Sequence, residues 1–248
     1  MDEVEVVVAH SERATLRVGD MYLKVDADRA RVDVEVEAMT LAPVPTPEVL
    51  WREPPVLALA ALPGATLGRL GGPSTGSSAA WAAAGAVIRQ LHEAPLPSWT
   101  GRAGRSVVRL AEELDRECQL LVANGLLPVE LVTRNRQVAE AALREWTPAF
   151  THGDLQIAHV FLDGDEVTGI IDWSEAGQGD ALYDLATFSL GHEERLGDLV
   201  AGYGGDVDLE VVRVWWALRS LLAVRWLSEQ GFDPFAPGCE VDVLKSRM

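Results

Sequence analysis

The feature that most constrains the fold is a pair of short apolar runs in the second half of the chain. Residues 160–162 and 169–171 form these runs, and the Asp-Gly-Asp sequence at residues 163–165 lies between them. Apolar runs separated by a glycine-containing turn are typical of a β-hairpin. We therefore predict two paired antiparallel strands, which bring together the residues that precede the first strand and those that follow the second.

Three potential proton or metal ligands flank this hairpin. Asp154 and His159 come just before the first strand, and Asp172 comes directly after the second. A carboxylate can orient and deprotonate a hydroxyl nucleophile, while an imidazole and a second carboxylate can bind a divalent metal that neutralises a triphosphate. Each residue alone is explained as readily by a structural role. Their combination predicts a site for phosphoryl transfer.

The composition describes a folded protein and excludes several classes of partner. The chain has 248 residues, of which 48% are apolar, so it can bury a substantial core as one unit or two small lobes. It has 21 Lys and Arg against 38 Asp and Glu, for a net charge of −17. This charge opposes binding to nucleic acid or to an anionic membrane and allows a cationic small-molecule partner. Solubility alone explains the acidity equally well.

Cysteine usage and the N-terminal sequence predict a cytoplasmic protein. Cys118 and Cys239 are too few for a disulfide framework and lack the spacing of a zinc site. Residues 1–5 lack the basic and apolar regions of a signal peptide. Residues 211–227 come nearest to a membrane span but contain three arginines, so we expect a helix packed on the core. We expect a monomer or a weak homodimer.

Residues 1–62 predict a small N-terminal lobe with a five-stranded antiparallel sheet. One helix, over residues 31–41, has apolar residues at helical spacing and crosses the sheet. The predicted strands are rich in valine and leucine and bounded by turn residues. They cover residues 4–8, 14–18, 21–25, 49–50 and 56–59.

Residues 63–248 predict a larger, mainly helical lobe that contains the hairpin. Gly125 and Gly231 stand where helix C-caps are expected. The predicted helices share strong helix propensity and ordinary length, and they cover residues 79–91, 106–124, 130–146 and 211–229. The predicted fold class is therefore α+β with two lobes.

Around the hairpin the sequence resembles the aminoglycoside phosphotransferase family, antibiotic kinases related in fold to choline kinase and protein kinases. The family pattern is His-Gly-Asp-Leu, three variable residues, Asn, a hairpin, Ile-Asp-Trp, Gly-Asp-Pro, two variable residues and Asp-Leu-Ala. The corresponding residues here are 152–155, His159, 171–173, 179–181 and 184–186. The resemblance implies a two-lobe, protein-kinase-like fold.

The resemblance implies a role for each of these polar residues. Asp154 would orient the acceptor hydroxyl, Asp172 would bind metal, and Asp184 would brace the catalytic loop through backbone hydrogen bonds. His152 is also a candidate catalytic residue, although support of the loop fits it better than proton exchange. His159 replaces the Asn of most members, whose oxygen suits Mg²⁺ better. The branch that acts on 2″-hydroxyls looks similar in carrying His, so His159 stays a predicted metal ligand.

A weaker match in the N-terminal lobe concerns the nucleotide phosphates. Lys24 resembles the lysine of the third strand, which contacts the α and β phosphates. Glu35 on the next helix would be its ion-pair partner, with Glu37 as the alternative. Residues 10–13 would cover the phosphates without the Gly-x-Gly-x-x-Gly of protein kinases, and Ser11 is the candidate contact there.

The resemblance also implies contacts to the purine, whereas the candidate acceptor contacts are chosen for their acidity alone. The backbone of Ala60 and Leu62 would bond the purine edge at the hinge between the lobes, which leaves ATP or GTP as the donor. Glu175, Glu193 and Glu194 are candidates for gripping a cationic acceptor.

We therefore expect a kinase that transfers the γ-phosphoryl group of ATP or GTP, with one or two Mg²⁺, to a hydroxyl of an aminoglycoside or other cationic antibiotic. A metabolic kinase for an amino alcohol or sugar is the alternative within the same class. A nucleotide-binding pseudokinase is the alternative outside it, suggested by His159, the missing glycine-rich loop and the short chain.

Overall fold

The structure is a computed structural model that describes residues 4–10, 13–69 and 71–246. These residues form two lobes, of which the first is built on one antiparallel sheet. The strand order in this sheet is β1-β2-β3-β5-β4. The strands are β1 (Val4–Ala9), β2 (Arg13–Val18), β3 (Met21–Asp26), β4 (Val49–Glu53) and β5 (Val56–Ala60). The five-stranded sheet predicted from the sequence is confirmed.

The single helix of this lobe is α1 (Arg29–Leu41), between β3 and β4. It begins after Asp28, whose side chain accepts a hydrogen bond from the N–H of Ala30, as an N-cap does. Val32, Ala38 and Met39 bury their side chains, and Glu35 is buried among them at 3% exposure. A carboxylate is rarely buried without a partner, so this one requires a cation nearby.

The second lobe is mainly helical. Its helices are α2 (Ser78–His92), α3 (Val107–Ala123), α4 (Val129–Ala139), α5 (Ala181–Ser189), α6 (Leu196–Tyr203), α7 (Leu209–Glu229) and α8 (Glu240–Ser246). The sequence indicated α2, α3 and α7 to within two residues at each end. It did not indicate the shorter α5, α6 and α8.

The predicted helix over residues 130–146 is wrong at its C-terminal end. The α-helical part ends at Ala139, and Glu140–Ala142 continue as a 3₁₀ helix. Leu143 then leaves helical geometry with ψ of 65°. Helix ends commonly tighten into such a turn before the chain changes direction, and here the chain turns into a strand that begins at Pro148.

The predicted hairpin is confirmed. Its strands are β8 (Val160–Asp163) and β9 (Glu166–Ile170), with Val160 paired to Ile170. Strand β6 (Ala65–Thr66) adds to the β8 edge. A second, two-stranded sheet pairs β7 (Pro148–Thr151) with β10 (Gly177–Asp180). These two small sheets place the loops that follow β7 and β9 next to each other.

Helix α7 forms the centre of the second lobe. Trp215, Trp216 and Leu221 are at most 2% exposed. Two of its arginines form ion pairs with acidic residues of other helices, Arg219 with Glu240 at 2.8 Å and Arg225 with Glu117 at 2.7 Å. Nowhere in the described ranges does a helix combine the length and apolarity needed to cross a membrane.

Candidate functional site

The two lobes are joined by an ion-pair chain centred on Lys24. Its Nζ lies 2.6 Å from Oε1 of Glu35 on α1 and 2.8 Å from Oδ1 of Asp172, which follows β9. Burial opposes the charge of Lys24, but the carboxylates of Asp172 and Glu35 outweigh it and raise the lysine's pKa. Burial would likewise raise the pKa of Asp172, yet the ammonium of Lys24 holds it well below its usual range. Both groups are therefore charged.

Asp154 lies in the loop after β7, next to this chain of charges. Its carboxylate accepts hydrogen bonds from Nε2 of Gln156 at 3.1 and 3.2 Å, and Nη2 of Arg219 lies 3.4 Å from its Oδ1. Burial raises the pKa of Asp154, but Arg219, His159 and Arg102 together lower it below the usual value. The carboxylate is thus ionised and available as a hydrogen-bond acceptor.

Asp184 holds the loop that carries Asp154. Its two carboxylate oxygens accept hydrogen bonds from the backbone N–H groups of His152 at 2.7 Å and Gly153 at 2.9 Å. Asp184 is fully buried at the start of α5. A carboxylate that accepts from consecutive backbone N–H groups fixes the loop conformation, since each hydrogen bond to an ion is stronger than a neutral one.

Both ring nitrogens of His152 are engaged with the backbone. Nε2 lies 3.0 Å from the carbonyl of Ile171 and so donates, and Nδ1 accepts from the N–H of Asp154 at 3.3 Å. The ring is fully buried, and this burial lowers its pKa, so the imidazole is neutral. With its donor and acceptor both used, this residue ties the Asp154 loop to the Asp172 loop.

At Gly153 the backbones of these two loops approach each other closely. Its φ is +83°, and a Cβ at this position would lie 2.2 Å from the carbonyl oxygen of Glu175. No side chain fits in that space, so glycine is required here for both conformation and clearance.

His159 and Asp172 form the candidate metal site. Nδ1 of His159 lies 2.8 Å from the carbonyl oxygen of Asp154, which can only accept, so Nδ1 carries the proton. In the neutral ring the lone pair is then on Nε2, which lies 3.9 Å from Oδ2 of Asp172. Across the parts of the chain that the structure describes, no group of three or more His, Cys, Asp or Glu side chains is placed to hold a metal. His159 and Asp172 thus supply two candidate metal ligands.

Two cavities meet at Asp154 and Asp172. The first, of about 280 Å³, is the Lys24 cavity, and it is also lined by Glu35 and His159. The second, of about 240 Å³, is the Arg102 cavity. Residues that line only the second include Arg31, Arg102, Ser174, Glu175, Arg219, Gln230 and Glu240. A ligand bound in either cavity would thus reach Asp154.

The acidic residues predicted to contact the acceptor are separated in the structure. Glu175 lines the Arg102 cavity and lies 3.6 Å from Arg13. Glu193 and Glu194 line a different cavity, beside α8, and Glu193 forms an ion pair with Arg213 at 2.8 Å.

The two residues predicted to contact the purine differ in whether their backbone N–H groups already have a hydrogen-bond partner. The N–H of Ala60 donates to the carbonyl of Glu48 at 2.9 Å, so this N–H is already used within the protein. The N–H of Leu62 makes no backbone hydrogen bond to any described residue. Neither residue lines the Lys24 cavity. Ser11 lies outside the described residues.

Sequence reasoning missed four residues of this site. Arg219 contacts Asp154 from α7, Glu240 contacts Arg219 from α8, and Arg102 lines the cavity beside them. His92, at the end of α2, contacts Asp184 through Nε2 at 3.1 Å. Only Arg219 had a signal in the sequence, because it lies between the apolar stretches 214–218 and 221–224 of its helix, where a charged side chain requires a partner.

Residues 12–215 match the model of a family described as the phosphotransferase enzyme family, APH. Three solved structures illustrate the fold similarity. A choline/ethanolamine kinase family protein from Mesorhizobium loti has a TM-score of 0.68 and 22% identity, over 99% of this chain and 87% of that chain. An aminoglycoside-3′-phosphotransferase of type VIII has a TM-score of 0.62 and 25% identity, over 89% and 93%.

The third structure is the GDP and kanamycin complex of APH(2″)-IIia. It has a TM-score of 0.68 and 19% identity, over 98% of this chain and 92% of that chain. These similarities confirm the kinase-like fold predicted from the sequence, and the family match confirms the resemblance from which that prediction came.

Proposed function

Because this chain belongs to the phosphotransferase enzyme family, we propose that it transfers the γ-phosphoryl group of ATP or GTP to a hydroxyl of a small molecule. The observation that carries the proposal is the position of Asp154. Its ionised carboxylate lies where the Lys24 cavity and the Arg102 cavity meet. A hydroxyl entering from the Arg102 cavity would thus face a triphosphate held in the Lys24 cavity.

In the proposed step, the acceptor hydroxyl donates a hydrogen bond to Asp154 and attacks the γ-phosphorus. The new bond joins the acceptor oxygen to phosphorus, and the bond from phosphorus to the β–γ bridging oxygen breaks. The hydroxyl proton passes to Asp154, and the nucleoside diphosphate leaves with the electron pair of the broken bond. Positioning and charge stabilisation supply most of the acceleration in such reactions.

Lys24 is the proposed contact to the nucleotide phosphates. Its ammonium is buried, charged and oriented by Glu35. A phosphate oxygen can take the place of Asp172 as its second partner while Glu35 keeps its contact. Pre-oriented charge of this kind costs no reorganisation during the reaction.

The donors at the candidate metal site fit Mg²⁺. Oδ2 of Asp172 and Nε2 of His159 both face the same space, and the hydrogen bond from His159 to the Asp154 carbonyl fixes the tautomer that a ligand needs. Mg²⁺ commonly takes one or two protein ligands and completes its coordination with water and substrate phosphates. When bound, it would neutralise charge on the triphosphate.

We assign His152 and Asp184 to support of the loop rather than to proton transfer. Both ring nitrogens of His152 are occupied, and both oxygens of Asp184 accept backbone hydrogen bonds. The N–H of Leu62, which bonds to no backbone group of the described residues, supports it as a purine contact. One similar structure is a complex with GDP and kanamycin, which supports a purine nucleotide and a hydroxylated acceptor here.

The grouping of Lys24, Asp154 and Asp172 favours catalysis over a nucleotide-binding pseudokinase, which would not need all three together. Among the acceptors expected from the sequence, the similar proteins support both an antibiotic and an amino alcohol, since one carries kanamycin and another is described as a choline/ethanolamine kinase family protein.

The test is nucleotide consumption by the wild type and by Asp154→Asn, with Mg²⁺ and either ATP or GTP, across cationic, neutral and anionic hydroxyl compounds. We expect acceptor-dependent turnover that falls about 10²–10⁴-fold in the variant, as for loss of a general base. The matched control is Asp163→Asn, an exposed carboxylate in the turn of the same hairpin. Wild-type turnover in Asp154→Asn would refute the proposed role.

A further inference from the structure

Arg102 lines the cavity in which the acceptor would bind, and the proposed reaction gives it no direct contact. It lines the Arg102 cavity and is not among the residues that line the Lys24 cavity. It lies close enough to Asp154 to lower the pKa of that carboxylate. The guanidinium is thus near the reacting centre, on the side where the acceptor would enter.

The other guanidinium groups of this cavity have direct carboxylate partners. Arg13 and Arg31 pair with Asp26 at 2.9 and 2.8 Å, and Arg219 pairs with Glu240 at 2.8 Å. The side chain of Arg102 makes no hydrogen bond and no ion pair with any residue that the structure describes. Its five N–H donors are therefore available to a ligand.

Arg102 also keeps its charge. Burial opposes ionisation, but the hydroxyl of Tyr183 and the carboxylates of Glu175 and Asp154 outweigh it and raise the arginine's pKa. No carboxylate is in direct contact with this guanidinium among the described residues, so an anionic ligand that bonds to it directly would stabilise its charge further.

The backbone around Arg102 is held rigidly. Its N–H donates to the carbonyl of Glu175 at 3.0 Å. On either side, a Cβ on Gly101 would lie 2.7 Å from the nitrogen of Gly177, and a Cβ on Gly104 would lie 2.0 Å from the carbonyl oxygen of Gln178. The turn is therefore packed backbone to backbone against the segment that follows Asp172. The backbone position from which the Arg102 side chain extends is therefore fixed.

We propose that Arg102 binds an anionic group of the acceptor, a carboxylate or a phosphate, and so selects a hydroxylated anion as the substrate. This rests on the proposed function. A planar guanidinium matches both anions through two parallel hydrogen bonds. The acceptor proposed here has the opposite charge to the one expected from the net charge of the chain, because a direct contact to Arg102 acts at a shorter range than the surface charge, which salt screens.

The test uses one sugar scaffold with different charges. Glucose, glucosamine, glucuronate and glucose 6-phosphate are compared as acceptors, together with glycerate, choline and kanamycin. Each is assayed with Mg²⁺ and ATP or GTP, and each is also tested at millimolar concentration for its effect on Tm. The proteins are the wild type, Arg102→Gln, Arg102→Lys and Arg105→Gln. Arg105 lies at the end of the same turn, pairs with Glu113 at 3.2 Å and does not line the cavity.

We expect the anionic compounds to be the acceptors and to raise Tm. Comparison of the carboxylates with the phosphate ester shows which anion is preferred. Arg102→Gln should raise KM for the anionic acceptor at least about tenfold while KM for the nucleotide stays within about twofold, the pattern of lost ground-state binding. Arg102→Lys should recover part of the affinity, and Arg105→Gln should behave as wild type.

Three outcomes would overturn the proposal. The first is turnover of the cationic or neutral compounds that Arg102→Gln leaves unchanged. The second is a higher nucleotide KM in Arg102→Gln, which would assign Arg102 to the triphosphate. The third is the absence of any Tm increase with the anionic compounds. An Arg102-dependent Tm increase without phosphoryl transfer would instead support the anion site and count against the proposed function.

Discussion

Nη2 of Arg219 lies 3.4 Å from Oδ1 of Asp154, although 65 positions separate the two residues in the sequence. The same guanidinium donates to Oε1 of Glu240 at 2.8 Å. Helices α7 and α8 thus contribute a buried Glu-Arg-Asp chain that ends at the proposed catalytic carboxylate. This links the packing of the helical lobe to the electrostatics of the reaction.

Arg219→Gln should destabilise the protein. Glu240 is 1% exposed and its Oε2 has no hydrogen-bond partner among the described residues, so Arg219 is the cation that compensates its burial. Breaking a buried pair from one side costs about 3–5 kcal/mol. We expect the double variant Arg219→Gln/Glu240→Gln to recover much of this loss. Urea unfolding measures both, and an Arg219→Gln protein as stable as wild type would contradict the expectation.

Loss of Arg219 should also shift the pH dependence of turnover. In the proposed reaction Asp154 must be ionised to accept the hydroxyl proton. Among the neighbouring charges, Arg219 lowers the pKa of Asp154 the most. Without this charge the pKa of Asp154 rises, so activity is lost at a higher pH as the solution is acidified. The measurement is kcat/KM for the acceptor against pH in Arg219→Gln/Glu240→Gln. Arg225→Gln, on the same helix and paired with Glu117, should keep the wild-type profile.

Lys24→Met should impair nucleotide use. The ammonium is the proposed phosphate contact, and its removal also leaves Glu35 buried without its cation. Loss of one preorganised electrostatic contact typically costs about 10²–10³ in rate, so we expect a decrease of that order in kcat/KM for ATP or GTP. Steady-state assays at varied nucleotide would show it. Lys245→Met, at an exposed position of α8, is the control, and equal activities would exclude the proposed role of Lys24.

Gly85→Ala should destabilise the contact between α2 and α6. A Cβ at Gly85 would lie 2.1 Å from the carbonyl oxygen of Leu199 and 2.7 Å from the nitrogen of Tyr203, so the helices must move apart. The matched control is Gly197→Ala in α6, where nothing lies within 4 Å of the added carbon. There, helix propensity favours alanine by up to about 1 kcal/mol. We expect Gly85→Ala to lower Tm and Gly197→Ala to raise it. A higher Tm in Gly85→Ala would disprove the packing argument.

Local sequence was enough to predict the hairpin and the residues that it brings together. Asp154, His159 and Asp172 lie within 19 positions of each other, and the turn at residues 163–165 sets the register that joins them. The five strands of the first lobe are predictable for the same reason, because successive strands are joined by short turns or by one helix. In each of these cases the pattern that specifies the structure is contained in adjacent residues.

Contacts between distant segments could not be predicted in this way. Arg102, Arg219 and Glu240 reach the site from a 3₁₀ turn and two helices, and no spacing rule relates these segments to the hairpin. His92 joins Asp184 across 92 positions. The end of α4 was missed because a change from α to 3₁₀ geometry leaves the apolar pattern largely intact.

The clearance at Gly153 has a consequence for the geometry of the reaction. At Gly153 the loops that carry Asp154 and Asp172 approach each other through the main chain, and the ring of His152 ties them together beside it. The main-chain positions from which the two carboxylates extend are therefore close together, with no side chain at residue 153 that could repack between the loops. The proposed base and metal ligand on such a support keep the same main-chain spacing whichever hydroxyl compound enters, so selection of the acceptor would fall to other residues that line the site.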